Sequence, residues 1–229
     1  YDEYSQFENK TTGKIGFKYN SKILDKFSFN TNYGTAYNVP TLTYLYGAWG
    51  ANPDLKPEDV NSFDIGAKYM GFKIGYFYNT INDMIVWEGA GYVNVTGTSI
   101  LKGYEIGYND FITDQLLTDI SYTYLDAKDK EGNKLLRRPK DTIKYAFTYY
   151  ATKNLDLTLS GEYIGERYDI GDVQTGKYTL ANFVTNYKIN KGLTSYIKAD
   201  NLFDKKYQVV NGYATAERSF YVGLNFKIK

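Results

Sequence analysis

Phe220, Val222, Leu224, Phe226 and Ile228 occupy every second position near the end of the chain, with Tyr221, Gly223, Asn225 and Lys227 between them. A period of two puts the five apolar residues on one face of a pleated strand; helical spacing would scatter them around an axis. The pattern recurs upstream in Ile15/Phe17/Tyr19, Phe27/Phe29/Thr31/Tyr33, Phe63/Ile65/Ala67/Tyr69 and Phe72/Ile74/Tyr76/Tyr78, the last running on towards Trp87. It continues in Tyr104/Ile106/Tyr108, Ile120/Tyr122/Tyr124, Ile143/Tyr145/Phe147/Tyr149, Leu155/Leu157/Leu159/Tyr163, Ala181/Phe183/Tyr187/Ile189 and Leu193/Ile197/Ala199. Eleven strands are expected.

Short turns are expected near residues 21, 70, 112, 153 and 190. Long loops are expected near 36–57, 88–91, 126–138, 169–176 and 201–217, so short and long connections alternate. Tight turns at one end and longer loops at the other are the habit of a transmembrane β-barrel. The faces agree: Asp156, Thr158, Ser160, Glu162 and Glu166 line one side of a strand whose other side is Leu155, Leu157 and Leu159. In a barrel the lumen takes the charges and lipid takes the apolar row. Lys102, which shares a face with Tyr104 and Ile106, sits where a tilted strand leaves an apolar band about 25 Å tall. Complete bacterial single-chain barrels have an even number of strands, so an odd count implies that part of the barrel lies outside this chain.

Composition supports a sheet with a wet and a greasy side. The 229 residues include 26 Tyr and 13 Phe, residues that suit half-buried pleated surfaces and oil–water boundaries. A net charge of +1 provides no electrostatic footprint for nucleic acid. With no Cys and no His, disulfides, thiolate metal sites and the commonest general base are all excluded. No apolar run reaches the roughly 18 residues a membrane helix needs. The chain opens at Tyr1 with no signal peptide, as a mature protein or a piece of a longer one does. No Ser-x-x-Lys or Gly-x-Ser-x-Gly pattern is present, so no catalytic residue is assigned and the chain is not expected to be an enzyme. The pairs Asp126/Asp129 and Asp169/Asp172 are read as solvated turns. Lysines at 128 and 130 stand where a calcium loop needs acids, so no metal site or cofactor is expected.

Three of the four prolines (Pro40, Pro53, Pro57) fall between Tyr33 and Glu58, which marks that stretch as loop. Long loops carrying rigid aromatics are candidate binding platforms. Tyr37, Tyr44, Tyr46, Trp49, Trp87 and Tyr92 are therefore candidate substrate contacts, or else loop packing and an interfacial aromatic girdle. Arg137, Arg138 and Arg167 sit at strand mouths, where they form lumen salt bridges or reach a ligand.

The segment Asn52-Pro53-Asp54-Leu55-Lys56-Pro57-Glu58 resembles the NP-L-PE signature of TonB-dependent outer-membrane receptors, and Tyr37-Asn38-Val39-Pro40 resembles the aromatic-x-x-Pro box before it. Asp200-Asn201-Leu202-Phe203-Asp204-Lys205-Lys206-Tyr207 is similar to that family's NLFDKxY signature. Gly103-Tyr104-Glu105, the Tyr124–Asp129 segment with Leu135–Pro139, and Tyr163–Asp169 resemble further motifs, in order, from Phe27 onward. The pattern is most similar to the vitamin B12 (cobalamin) transporter subgroup. The resemblance implies an all-β, antiparallel transmembrane barrel of about 22 strands plugged by an N-terminal domain. Residues 1–229 would be its C-terminal portion, without plug, TonB box or early strands. It further implies uptake of a scarce, bulky nutrient (cobalamin or an iron–siderophore) across the outer membrane of a Gram-negative-type bacterium. Energy would come from the TonB–ExbB–ExbD complex through the N-terminal part, and Arg137 would reach the substrate from the barrel wall. Haem is the alternative ligand; a passive porin, an adhesin-type barrel or a soluble β-rich binding protein are alternatives of other classes. Asn52 to Glu58 and Asn201 to Tyr207 are read as structural corners. The family's barrels usually end on an aromatic residue, and this chain ends Phe226-Lys227-Ile228-Lys229.

Overall fold

The computed structural model describes residues 6–227; Ile228 of the last apolar row lies outside them. The strands are β1 (Lys14–Asn20), β2 (Ser28–Asn38), β3 (Glu58–Tyr69), β4 (Phe72–Asn82), β5 (Ile85–Glu88), β6 (Gly91–Asn94) and β7 (Thr98–Thr113). They continue with β8 (Leu116–Lys128), β9 (Asp141–Tyr150), β10 (Leu155–Ile164), β11 (Tyr168–Asp169), β12 (Val173–Gln174), β13 (Tyr178–Asn190), β14 (Leu193–Asp200) and β15 (Ser219–Phe226). Eleven of these form one sheet in the order β1-β2-β3-β4-β7-β8-β9-β10-β13-β14-β15, a simple meander. The remaining four make two small hairpins, β5–β6 and β11–β12, which sit inside long connections. The eleven expected strands are the eleven of the main sheet.

Register explains why the sheet holds one orientation. Leu155, Leu157 and Leu159 of β10 pair with Tyr187, Thr185 and Phe183 of β13; on the other side, Leu157 and Leu159 pair with Tyr149 and Phe147 of β9. The polar row between them is continuous too: Asp156 faces Asn186, whose amide donates to its carboxylate at 2.8 Å, and the hydroxyls of Thr148 and Thr158 meet at 3.0 Å. The same holds in β1–β3, where Phe17 pairs with Thr31 and Thr31 with Ile65. There Asn32 donates to Asp64 at 2.8 Å on the opposite face. A slip of one residue would invert every strand's faces at once.

The apolar rows are not covered by a second layer. Phe220 and Val222 are 68% and 80% exposed, and Ile15, Phe17, Phe72 and Ile74 are also open. The buried apolar side chains, which include Leu45, Leu55, Met84, Ile164 and Tyr178, lie in long connections or within a few residues of one. Exposed apolar rows on a meander with polar rows behind them suit a wall between hydrocarbon and water.

The chain divides into two compact units. One holds residues up to Tyr69, Ile74–Tyr104 and Leu125–Arg138; the other holds Met70–Lys73, Glu105–Tyr124 and the residues from Pro139 on.

Three local features differ most from the sequence reading, beside shifts of two or three residues at the ends of β2, β8 and β9. β4 stops at Asn82, because Asp83 takes a left-handed φ of 52° that breaks the run towards Trp87, and the chain restarts as β5. The proline loop contains a one-turn helix, α1 (Leu42–Tyr46), too short to show a period. Thr41 caps it by accepting from the Tyr44 amide, and the Gly47 amide closes it onto the Thr43 carbonyl. Glu166 falls just past β10 and belongs to a connection rather than to the polar row.

Candidate functional site

In the first unit the connections between β2 and β3, between β4 and β7, and after β8 wall a cavity of about 550 Å³. Tyr44 comes from α1, Trp87 and Tyr92 from the β5–β6 hairpin, and Arg137 and Arg138 from the segment after β8. The aromatics pack on one another. Tyr44 and Tyr92 lie with ring centroids 4.2 Å apart and planes at 31°, and Trp87 meets Tyr92 edge-on at 4.9 Å and 88°. Such tilted and T-shaped contacts help fix the rings' orientation.

The hairpin that carries two of these rings is tied to the proline-rich loop by polar contacts. The Asn52 side-chain amide donates to the Tyr92 carbonyl at 3.0 Å, and the Tyr92 amide donates to the Gly50 carbonyl at 2.9 Å. Asn94 is bonded on both sides: its Oδ1 accepts from the Lys56 amide at 2.8 Å, while its Nδ2 donates to the Lys56 and Asp83 carbonyls. The Glu58 carboxylate accepts from the Ile85 amide at 2.6 Å. Leu55, between the two prolines, is buried. Gly50 has a φ of +61°, and a Cβ there would run into the Trp87 ring and lie 2.8 Å from the Ala90 carbonyl.

The cavity rim carries both signs of charge. Burial pushes the Asp129 carboxyl upward, but the amide and side chain of Asn133 donate to it, and these bonds outweigh burial to leave it below the usual carboxylate range. Glu88, Glu131, Lys134, Arg137 and Arg138 are the other charged residues lining the cavity. Among the described residues no group of His, Cys, Asp and Glu is placed to hold a metal.

Of the seven residues expected to touch substrate, Tyr44, Trp87, Tyr92 and Arg137 line this cavity. Tyr37 lies in β2 opposite Asp59, with the Lys10 ammonium 5.3 Å from its ring centroid. Tyr46 and Trp49 are 60% and 85% exposed and stand outside the cavity. Asn94 and Met84 also line it and were not anticipated; an Asn in a polar loop carries no signal that separates a tie from a turn.

In the second unit the connections 165–177 and 201–218 form a different arrangement. Arg167 is buried; its guanidinium donates to the Thr175 hydroxyl at 3.2 Å and carbonyl at 2.8 Å, and to the Gln208 carbonyl at 3.0 Å. Asp169, 1% exposed, accepts from the Ile170 and Asn211 amides. Buried Asn201 (φ 48°) accepts from the Lys205 amide and donates to the Lys205 and Ala216 carbonyls. The Leu202 amide joins this corner to Ala181. Phe203 projects outward, and Tyr207 packs on Tyr178 at 4.8 Å. The Asp204 carboxylate accepts from the Arg218 amide at 3.0 Å, which holds it below the usual carboxylate range. A cavity of about 510 Å³ lies beside this corner, between Thr175, Lys205 and Glu217.

Residues 1–202 match the family model described as TonB dependent receptor-like, beta-barrel. The chain is 30% identical over 241 residues to the vitamin B12 transporter BtuB of Photobacterium profundum, covering 99% of this chain and 39% of that protein. It is 28% identical to the protein of the same name from Vibrio cholerae, with the same coverage. The chain thus spans about two fifths of the length of the curated relatives it matches. Among solved structures, the copper transporter OprC superposes with a TM-score of 0.79 at 16% identity, over 94% of this chain and 39% of that one. The siderophore receptor PirA from Acinetobacter baumannii superposes with a TM-score of 0.76 at 19% identity, over 97% and 41%. These two likenesses carry the fold. Together with the meander, its alternating faces and the family model, they give the conclusion: the chain belongs to the TonB-dependent receptor-like β-barrel family of outer-membrane receptors and transporters.

Proposed function

We propose that this chain is the C-terminal barrel portion of a longer TonB-dependent receptor that imports cobalamin across the outer membrane. The plug and the segment that engages the TonB complex would lie elsewhere in the polypeptide. The observation that carries the reading is the cavity under the long connections, where Tyr44, Trp87, Tyr92 and Arg137 converge. Flat aromatic walls suit a large planar ring system, and a guanidinium at the rim suits the amide oxygens and phosphate of a corrinoid side chain. The relatives named as vitamin B12 transporters favour cobalamin over an iron–siderophore or haem. The apolar rows would face lipid and the polar rows the lumen.

Equilibrium binding of cyanocobalamin to the full-length receptor tests this. Truncating one aromatic anchor or the guanidinium is expected to weaken binding about tenfold or more, for Trp87→Ala and Arg137→Ala alike. Trp49→Ala, outside the cavity, is expected to change it less than about twofold. Equal losses at Trp49 and Trp87 would move the site off this cavity. A haem titration followed by absorbance separates the ligands: a sharp Soret shift with no cobalamin binding would replace cobalamin by haem.

A further inference from the structure

The Asn52–Glu58 segment contributes no side chain to the cavity lining, yet it holds the hairpin that does. Three independent ties run between them, and a fourth contact comes from Gly50 just before the segment. The Asn52 amide reaches the Tyr92 carbonyl, the Lys56 backbone is bonded in both directions by Asn94, Glu58 accepts from Ile85, and Gly50 lies flat against Trp87 and Gly91. The two ends of the hairpin are thereby fixed at Ile85 and Asn94 and its middle at Tyr92. Four-residue strands paired only with each other are marginal alone, so this external bonding sets the hairpin's position. The prolines on either side of Leu55 stiffen the holding segment, and burial of Leu55 anchors it.

We propose that the Asn52–Glu58 segment is a latch that presets the pose of Trp87 and Tyr92, making Glu58 and Asn94 positioning residues for the ligand cavity. This rests on the cavity being the ligand site. The latch orders the aromatic wall before ligand arrives, so ordering is not drawn from the binding free energy. Towards the hairpin Glu58 acts through one carboxylate oxygen aimed at the Ile85 amide, while its other oxygen accepts from the Asn38 side-chain amide at 3.3 Å. Any side chain that places an oxygen there does the same work, and charge is secondary.

The test uses the full-length receptor in detergent, with Glu58→Ala, Glu58→Gln and Asn94→Ala. Two quantities are read: hydrogen exchange of the peptide covering residues 85–95 without ligand, and cyanocobalamin affinity. Correct barrel assembly is checked by heat-modifiable migration. Glu58→Ala and Asn94→Ala are expected to speed exchange in the hairpin about tenfold or more and to weaken affinity by a similar factor, with assembly unchanged. Glu58→Gln keeps the acceptor and is expected to stay within about twofold of wild type in both. Hairpin exchange unchanged in Glu58→Ala would overturn the latch. A loosened hairpin with wild-type affinity would overturn its positioning role. Wild-type receptor that binds no cobalamin, with the exchange pattern as expected, would leave the latch standing and remove the cobalamin reading instead.

Discussion

Two loop clusters in this chain solve the same problem in opposite ways. Both gather long connections with few apolar residues to bury, and both rely on side chains that bond to backbone. Around Arg167 and Asp169 the polar groups face inward and are consumed by one another's loops. Around Trp87 and Tyr92 polar ties made by Asn52, Asn94 and Glu58 hold the hairpin, and the aromatic side chains line the cavity. A loop that spends its polar side chains within its own interior becomes a frame. A loop that is held by a neighbouring segment keeps a surface for use. Residue types alone do not separate the two cases, since both clusters contain Asn, acids, Arg and Tyr.

The contrast is broken most severely at Arg167. Replacing it by Ala leaves the Thr175 and Gln208 carbonyls without their donor inside a buried corner, at a cost of about 3 kcal/mol. Hydrogen exchange is expected to rise throughout 165–177 and 201–218, while residues 85–95 stay protected. A rise in the hairpin as well would mean that the two clusters are not separate frames.

Next in size is Gly50→Ala. The new methyl meets the Trp87 ring, and the left-handed backbone adds about 1 kcal/mol of strain. Displacement of Trp87 is expected, read as a changed near-ultraviolet circular dichroism signal and an affinity loss of about fivefold or more, with the Arg167 corner untouched. An unaltered spectrum would show that the hairpin yields without moving its ring.

The smallest effect concerns pH at Asp204. Its folded pKa is lowered by the Arg218 amide, so its contribution is complete above the unfolded value near 3.8 and is lost as pH falls through the lower folded value. Pepsin cleavage within 201–218 is expected to accelerate below pH 3.8 in wild type. In Asp204→Ala it should follow only the protease's own pH profile. Parallel curves would place the acid sensitivity elsewhere.

Much of the sheet is legible in the chain because a two-residue period survives any local noise. Leu155/Leu157/Leu159 against Asp156/Thr158/Ser160 admits one strand and one orientation. The loops are less legible. Asn38 and Glu58 extend β2 and β3 beyond the apolar rows by pairing with each other, and nothing apolar marks that extension. The break at Asp83 depends on a backbone sign that Asp tolerates and does not announce. Within the candidate site, aromatic residues in long connections are the right type. What separates Trp87 from Trp49 is the hairpin's bonding to Asn52, Asn94 and Glu58, which no spacing encodes.

Gly161 sits in mid-strand between Tyr145 and Ala181, and the Tyr145 ring lies across it, its hydroxyl 2.6 Å from where a Cβ would be and bonded to the Leu180 carbonyl at 3.0 Å. The tyrosine therefore roofs a stretch of bare peptide that has no side chain of its own to keep oil away. Shielding of that spot is a property of two strands jointly. Shortening the roof would bare the peptide, and filling the space beneath it would press a side chain into the Leu180 backbone carbonyl as well as the ring, so trimming the tyrosine would not make room for one.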